Sequence, residues 1–299
     1  MAQSLESMRS RIESAEDLYG VVRVMKALAA ASIRQGERAV ASLAEYSRTI
    51  ETGLQIVLWN RPEAIQAEPV PGRHLGIIIF GSDQGMCGSF NEQVATFALD
   101  EINGSGVADD RTILVVGTRV VGRLEDAGCK VWQQFPVPST VASIASAVHD
   151  LLLAIEELRD REGLDRLLLI HHRPRAPSGS APDMLQLLPI DSAWLKNLAT
   201  RPWTSNSLPT FTMNWRHLLS ALIRQHLFVA LYRAFAESMA SENASRLSSM
   251  QAAEKNIQDH LSRLAVEYHQ QRQQSITEEL LDIVGGFETL TRQKKRGEA

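Results

Sequence analysis

Cysteine and proline are scarce in this 299-residue chain, and the second scarcity is uneven. There are two cysteines, Cys87 and Cys129, and eleven prolines, none before Pro62 or after Pro209. Two thiols form at most one bridge, which excludes a disulfide-stapled scaffold and points to a reducing compartment. Basic excess is missing as well: 31 Lys and Arg face 35 Asp and Glu, a formal net charge of −4, which excludes a general nucleic-acid binder. Apolar runs are short. Leu75–Phe80 and Leu227–Tyr232 fall far below the ~20 residues of a membrane-spanning helix. Acidic and basic residues alternate from Glu6 onward, so no secretory core or acid-poor transit peptide is expected at the start. What remains is a soluble or peripheral folded protein.

Proline is the strongest single marker against an uninterrupted helix, so the two proline-free arms are where long helices are expected. In the first arm, residues 1–60, apolar side chains step by three or four through Leu5, Met8, Ile12, Ala15, Tyr19, Val22, Met25 and Ala29. The second arm, 211–290, repeats the idea with Leu247, Met250, Ile257, Leu261, Leu264, Tyr268, Ile276, Leu280, Ile283, Phe287 and Leu290. At ~1.5 Å per residue the arms would run roughly 85 and 115 Å if continuous. Neither could bury its stripe alone, which predicts that the two pair as an antiparallel coiled coil. A short basic tail, 291–299, follows and reads as a solvated end.

The punctuated middle, 61–210, has another rhythm. Leu75–Phe80, Thr112–Gly117 and Arg166–His172 are short apolar runs of buried-strand type, and Met184–Ile190 is a fourth candidate. Helical spacing over 90–102, 118–127 and 139–160 alternates with them, which predicts a Rossmann-like α/β domain with a mainly parallel sheet. Residues 173–183 and 200–210 read as loops.

Catalytic chemistry is thin. GSDQGMCGSFN, residues 81–91, is a glycine-rich turn between a strand and a helix, a place that can cradle phosphate. Its G-x-x-x-G-x-x-G spacing matches neither dinucleotide nor P-loop fingerprints, and no lysine follows. Tight backbone turning is the better use of those glycines. No cysteine-hydrolase signature surrounds Cys87, so a small structural residue is expected there. His171 and His172 are adjacent on a strand and would point to opposite faces, unable to share a metal. Asp109 and Asp110 have no partner carboxylate at a recognisable spacing. No cofactor is implied. An α/β enzyme or nucleotide-binding protein with coiled-coil arms, and a static coiled-coil scaffold, remain open on these grounds.

The second arm also carries a stripe of alanine and serine at 236, 238, 240, 241, 244, 245, 248, 249, 252 and 253. Small residues allow close approach of a neighbouring surface, either a thin coiled-coil face or a sliding partner.

Three blocks resemble the γ subunit of F-type ATP synthases. MRSRIESAEDLYGVVRVMKALAAASI (8–33) is similar to the family's I-x-x-R-I-x-S…I-T-x-A-M-x-x-V-A-A-x-K opening, with Met25 on its methionine. SDQGMCGSFN (82–91) resembles S-D-R-G-L-C-G-G-F-N. ESMASENASRLSSMQAAEKN (237–256) with RQQSITEELLDIVGGFETL (272–290) resembles the family's carboxy-terminal helix. Ser32 for lysine, Gln84 for arginine and Phe287 for alanine depart from its pattern, compatible with a housekeeping γ or a divergent second copy of N-ATPase type.

The resemblance implies a non-catalytic rotor shaft. Its arms would stand within a ring of three α and three β subunits, with the ε subunit and the α/β domain at the foot, on a membrane ring of c subunits. It implies peripheral attachment at the cytoplasmic face of the bacterial inner membrane. Met25 and Lys26 match the segment near the β-subunit lever loops, and Arg246, Arg272, Gln273 and Thr277 match positions of catalytic-subunit contact and coupling.

Overall fold

The computed structural model describes residues 2–65, 74–104, 111–175, 179–203, 207 and 209–297. Asp109 and Asp110 lie outside the described residues, as do the side chains of Phe287 and Leu290. The chain divides into two compact units, Met1–Ala27 with Met250–Ala299, and Leu28–Ser249. They are called the arm unit and the sheet unit below.

Both proline-free arms are single helices: α1 is Ala2–Asn60 and α6 is Trp215–Gly297. The start of α6 is set by Asn214, whose Oδ1 accepts the Arg216 N–H at 2.9 Å and satisfies one of the orphan donors of the first turn.

The sheet unit holds five strands: β1 (His74–Phe80), β2 (Arg111–Val116), β3 (Val131–Phe135), β4 (Leu164–Pro174) and β5 (Ser180–Leu188). Their order is β3-β2-β1-β4-β5; β1 pairs in parallel with β2 and β4, β2 with β3, and β5 closes the edge antiparallel to β4. Helices α2 (Phe90–Gly104), α3 (Val121–Asp126), α4 (Ile144–Glu162) and α5 (Ser192–Thr200) complete it. Strand alternation splits the core in two. Ile78, Phe80, Leu114, Val116 and Leu169 face α4 and the Leu231–Phe235 stretch of α6, while Ile77, Ile79, Val115, Leu168 and Ile170 face α2 and α3. All seven β1 residues are buried, the sign of a strand covered on both faces.

The sheet unit departs from the sequence reading in three places. Residues 173–183 are not simply a loop, because β4 continues through Pro174 and β5 begins at Ser180 in a hairpin. The edge strand β3 and the helix α5 carry no apolar run long enough to announce them. The small-residue stripe is not free for a sliding partner over its first half: Ala236, Ser238, Ala240 and Ser241 are buried. A Cβ on Gly36 of α1 would lie 3.0 Å from the Ala236 carbonyl oxygen and 3.1 Å from the Ala240 Cβ, so glycine and alanine let these helices touch backbone to backbone.

In the arm unit α1 and α6 run antiparallel. Tyr19 accepts a hydrogen bond from Gln258 at 2.8 Å, Lys26 pairs with Glu254, and Leu5 shares a small cavity with Gln271, Ser275 and Glu278. Inward positions on α1 are those of the apolar stripe, with Ala15 and Val22 buried. On α6 the agreement stops after Tyr268. Gln271, Ser275 and Glu278 turn inward, whereas Ile276, Leu280 and Ile283 are 48%, 57% and 70% exposed. Steps of four and three from Met250 keep a heptad seam through 271, 275 and 278, and Ile276, Leu280 and Ile283 fall one or two positions off it.

Candidate functional site

The parallel strands reverse their order of addition at β1, since β2 lies on one side of it and β4 on the other. In open α/β sheets the crevice at the carboxyl ends of such strands is the usual ligand site. Here the 81–91 turn follows β1 at that place and is held from within. Asn91 accepts the Ser82 N–H at 2.9 Å and donates to Ser82 Oγ at 2.8 Å. It also donates to the buried Cys87 Sγ at 3.3 Å. Asp83 accepts the backbone N–H groups of Thr118 at 2.9 Å and Val137 at 2.7 Å, so one carboxylate ties together the exits of β2 and β3. Met86 and Gly88 both sit at positive φ, +60° and +57°, which the tight turn requires.

The far side of the turn is covered by α6. Ser245 Oγ donates to the Cys87 carbonyl at 2.6 Å, and a Cβ on Gly88 would come within 3.0 Å of Ser249 Oγ. Arg246 donates to the carbonyls of Gln84 and Gly85 at 3.4 and 3.5 Å, to Asn243 at 3.1 Å and to Glu242 at 2.5 Å. Arg246 is 6% exposed. Burial raises the Glu242 carboxyl above its usual range, while hydrogen bonding and charge from Arg246 act in the opposite sense and Asp83 adds to the rise. A phosphate cradle presents N–H groups to its ligand. This turn instead presents carbonyl oxygens to a guanidinium of its own chain.

His171 and His172 go to opposite faces, as strand geometry requires. His171 Nε2 lies 3.0 Å from Glu237 of α6, while His172 stacks on Phe90 at 4.1 Å between centroids. Burial, and to a smaller extent His171, lowers the pKa of His172 to about 4. Among the described residues no group of three or more His, Cys, Asp or Glu is placed to hold a metal ion. No helix among them is long and apolar enough to cross a membrane.

The remaining candidate residues belong to the arm unit. Met25 is half-buried in the seam and Lys26 forms an ion pair with Glu254 across it. Arg272, Gln273 and Thr277 are exposed; the Thr277 hydroxyl donates back to the Gln273 carbonyl at 2.9 Å. The two sets are not one cluster. Arg272 lies eighteen positions beyond Glu254 on α6, about 27 Å along a helix. Nothing local in the sequence signals that Glu254 has a partner on another helix. Helical spacing assigns Ile276, Leu280 and Ile283 to the seam, whereas they form an exposed apolar strip alongside Arg272, Gln273 and Thr277.

A family model described as ATP synthase matches residues 4–290. This chain belongs to the ATP synthase γ family. Curated γ relatives match this chain over nearly their whole length. The chain is 28% identical to the ATP synthase gamma chain of Nostoc sp., over 96% of this chain and 99% of the relative. It is 26% identical to that of Brucella ovis, with the same coverage. Among solved structures, the fold matches a chain of the Euglena gracilis mitochondrial ATP synthase OSCP/F1/c-ring, with TM-score 0.66, 15% identity and coverage of 99% and 97%. It also matches a chain of the Tetrahymena thermophila mitochondrial central stalk and c-ring, with TM-score 0.56, 17% identity and coverage of 78% and 99%. The γ family thus accounts for the pairing of two long terminal helices with an α/β sheet.

Proposed function

We propose that this γ-family chain is the central rotor shaft of an F-type ATP synthase or ATPase, non-catalytic itself. It couples ion flow through the membrane c-ring to the conformations of the catalytic β subunits. In this reading arms 1–60 and 211–290 form the shaft, 61–210 the foot domain that meets the ε subunit and c-ring, and 291–299 a basic tail. Attachment is peripheral, at the cytoplasmic face of a bacterial inner membrane. An asymmetric shaft within three identical αβ pairs contacts each differently, and that differential binding biases each nucleotide site.

One observation supports the reading most: the arm unit exposes apolar side chains on both helices. Leu18, Val21 and Val24 on α1 and Ile276, Leu280 and Ile283 on α6 are all about half exposed or more. Each of these exposed apolar strips marks a protein contact surface. Met25, Lys26, Arg272, Gln273 and Thr277 are the coupling residues on that unit, and Arg246 contributes by anchoring the 81–91 turn. The occupied crevice, with carbonyls turned to Arg246, weighs against a nucleotide enzyme.

A disulfide from a cysteine introduced at Ile276 to the facing β subunit, in the assembled complex, tests rotation. ATP turnover should stall on oxidation and recover on reduction. Turnover that persists through the crosslink points to a static scaffold, and a chain that never joins an α/β ring overturns the proposal.

A further inference from the structure

The sheet unit contains a cavity of about 400 Å³ bordered by α1, β4, β5, α5 and α6, within the ~300–1,000 Å³ range of small-molecule sites. Four carboxylates line it, and each already has a partner in the chain. Glu237 faces His171 at 3.0 Å and Asp183 faces Arg173 at 3.2 Å. Glu51 pairs with Arg201 at 3.1 Å, and Asp191 accepts the Ala193 N–H at 2.8 Å to cap α5.

The cationic side is not matched in the same way. Arg233 lines the cavity, has no carboxylate within ion-pair distance among the described residues, and buries its Nε without an acceptor. The Nδ1 of His171, a residue 5% exposed, is buried without a partner as well. A guanidinium left unpaired in a partly buried site is costly unless an anion completes it. Beside Arg233 stand a ring pair, Trp194 and His226 at 4.8 Å between centroids, and an apolar wall that includes Leu187, Ile190 and Val229.

We propose that this cavity binds a small organic anion, a carboxylate or phosphate carried on an apolar body, with Arg233 receiving the charge. The planar fork of arginine fits both oxyanions in two-point fashion. A bare oxyanion would leave most of the volume empty, so the apolar body fills the space against Ile190, Val229 and the Trp194 ring. This site is separate from the coupling surface of the arm unit and does not depend on the rotor role.

Isothermal titration of the full chain tests it with four probes: phenyl phosphate, benzoate, inorganic phosphate and the neutral benzyl alcohol. Saturable one-to-one binding is expected for phenyl phosphate, benzoate or both, and the stronger of the two identifies the headgroup. Inorganic phosphate and benzyl alcohol should bind roughly tenfold weaker or worse. Arg233→Gln should weaken anion binding by roughly tenfold or more. Ile190→Trp, which narrows the apolar side of the cavity and keeps Arg233, should weaken it by roughly tenfold and covers the case in which Arg233→Gln does not fold. No saturable binding of either aromatic anion overturns the proposal, as does unchanged affinity in Ile190→Trp.

Discussion

Glu242 and Arg246 stand one turn apart on α6 and form a salt bridge at 2.5 Å with both side chains almost wholly buried. Neither charge has water to fall back on. Through the same guanidinium α6 holds the Gln84 and Gly85 carbonyls, so the pair is the joint between a long helix and the 81–91 turn.

Arg246→Ala should therefore destabilise the chain by about 3–5 kcal/mol, because it strands Glu242 in a buried site. Replacing both residues by methionine removes the buried charges together and should recover most of that loss. Urea unfolding of the single and double variants measures the difference. A double variant as unstable as Arg246→Ala would mean that the turn carbonyls, not Glu242, need the arginine.

Stability should fall on acidification, with His172 as a contributor. Its pKa is lowered to about 4 from an ordinary 6.5, so at intermediate pH the unfolded chain binds a proton that the native chain refuses. The contribution is absent above about pH 6.5, grows as pH falls through the window, and levels near pH 4, where the loss reaches about 3 kcal/mol. His172→Phe keeps a ring against Phe90 and should flatten that part of the profile, as read from urea midpoints between pH 7.5 and 4.5 (~3 units of window).

The Lys26 and Glu254 pair joins the two helices of the arm unit with both side chains partly screened from water. Lys26→Glu should cost about 1 kcal/mol through repulsion across the seam, and adding Glu254→Lys should restore most of it. Thermal denaturation at low and high salt provides the check. An unrestored double variant would show that packing around Lys26 matters rather than its charge.

Arg272 is exposed and has no ion pair among the described residues. Arg272→Ala should change stability by no more than about 0.5 kcal/mol. In the assembled complex it should nevertheless lower the ions moved per ATP hydrolysed, measured as pumping and turnover on the same vesicles. Parallel loss of stability and coupling would count against a direct contact.

Several features were legible before any coordinates. The 59-residue α1 and 83-residue α6 coincide with the proline-free arms, because proline is the residue a helix interior tolerates least. The parallel strands announced themselves as continuous apolar runs, since a strand covered on both faces need not alternate. β3 did not: in Val131–Phe135 the three central residues are exposed at a sheet edge, and nothing local distinguishes them from a loop. Nor did the paired ends of β4 and β5, where Pro174, Ser180 and Pro182 look like breakers until each strand supplies the other's hydrogen-bonding partner.

Sequence by itself determined the two long helices, the apolar parallel strands β1, β2 and β4 and the family pattern they follow, because proline placement, apolar runs and turn glycines act over a few residues. Tertiary structure alone decided which side chains are hidden. Ile276, Leu280 and Ile283 and the alternative positions Gln271, Ser275 and Glu278 satisfy helical spacing equally well, and only the position of α1 selects the second set for the seam. Arg246 reads as an exposed helical arginine until the turn from β1 folds over it and Glu242. Burial is a property of what packs opposite, and for these residues the opposing surface lies more than a hundred positions away in the chain.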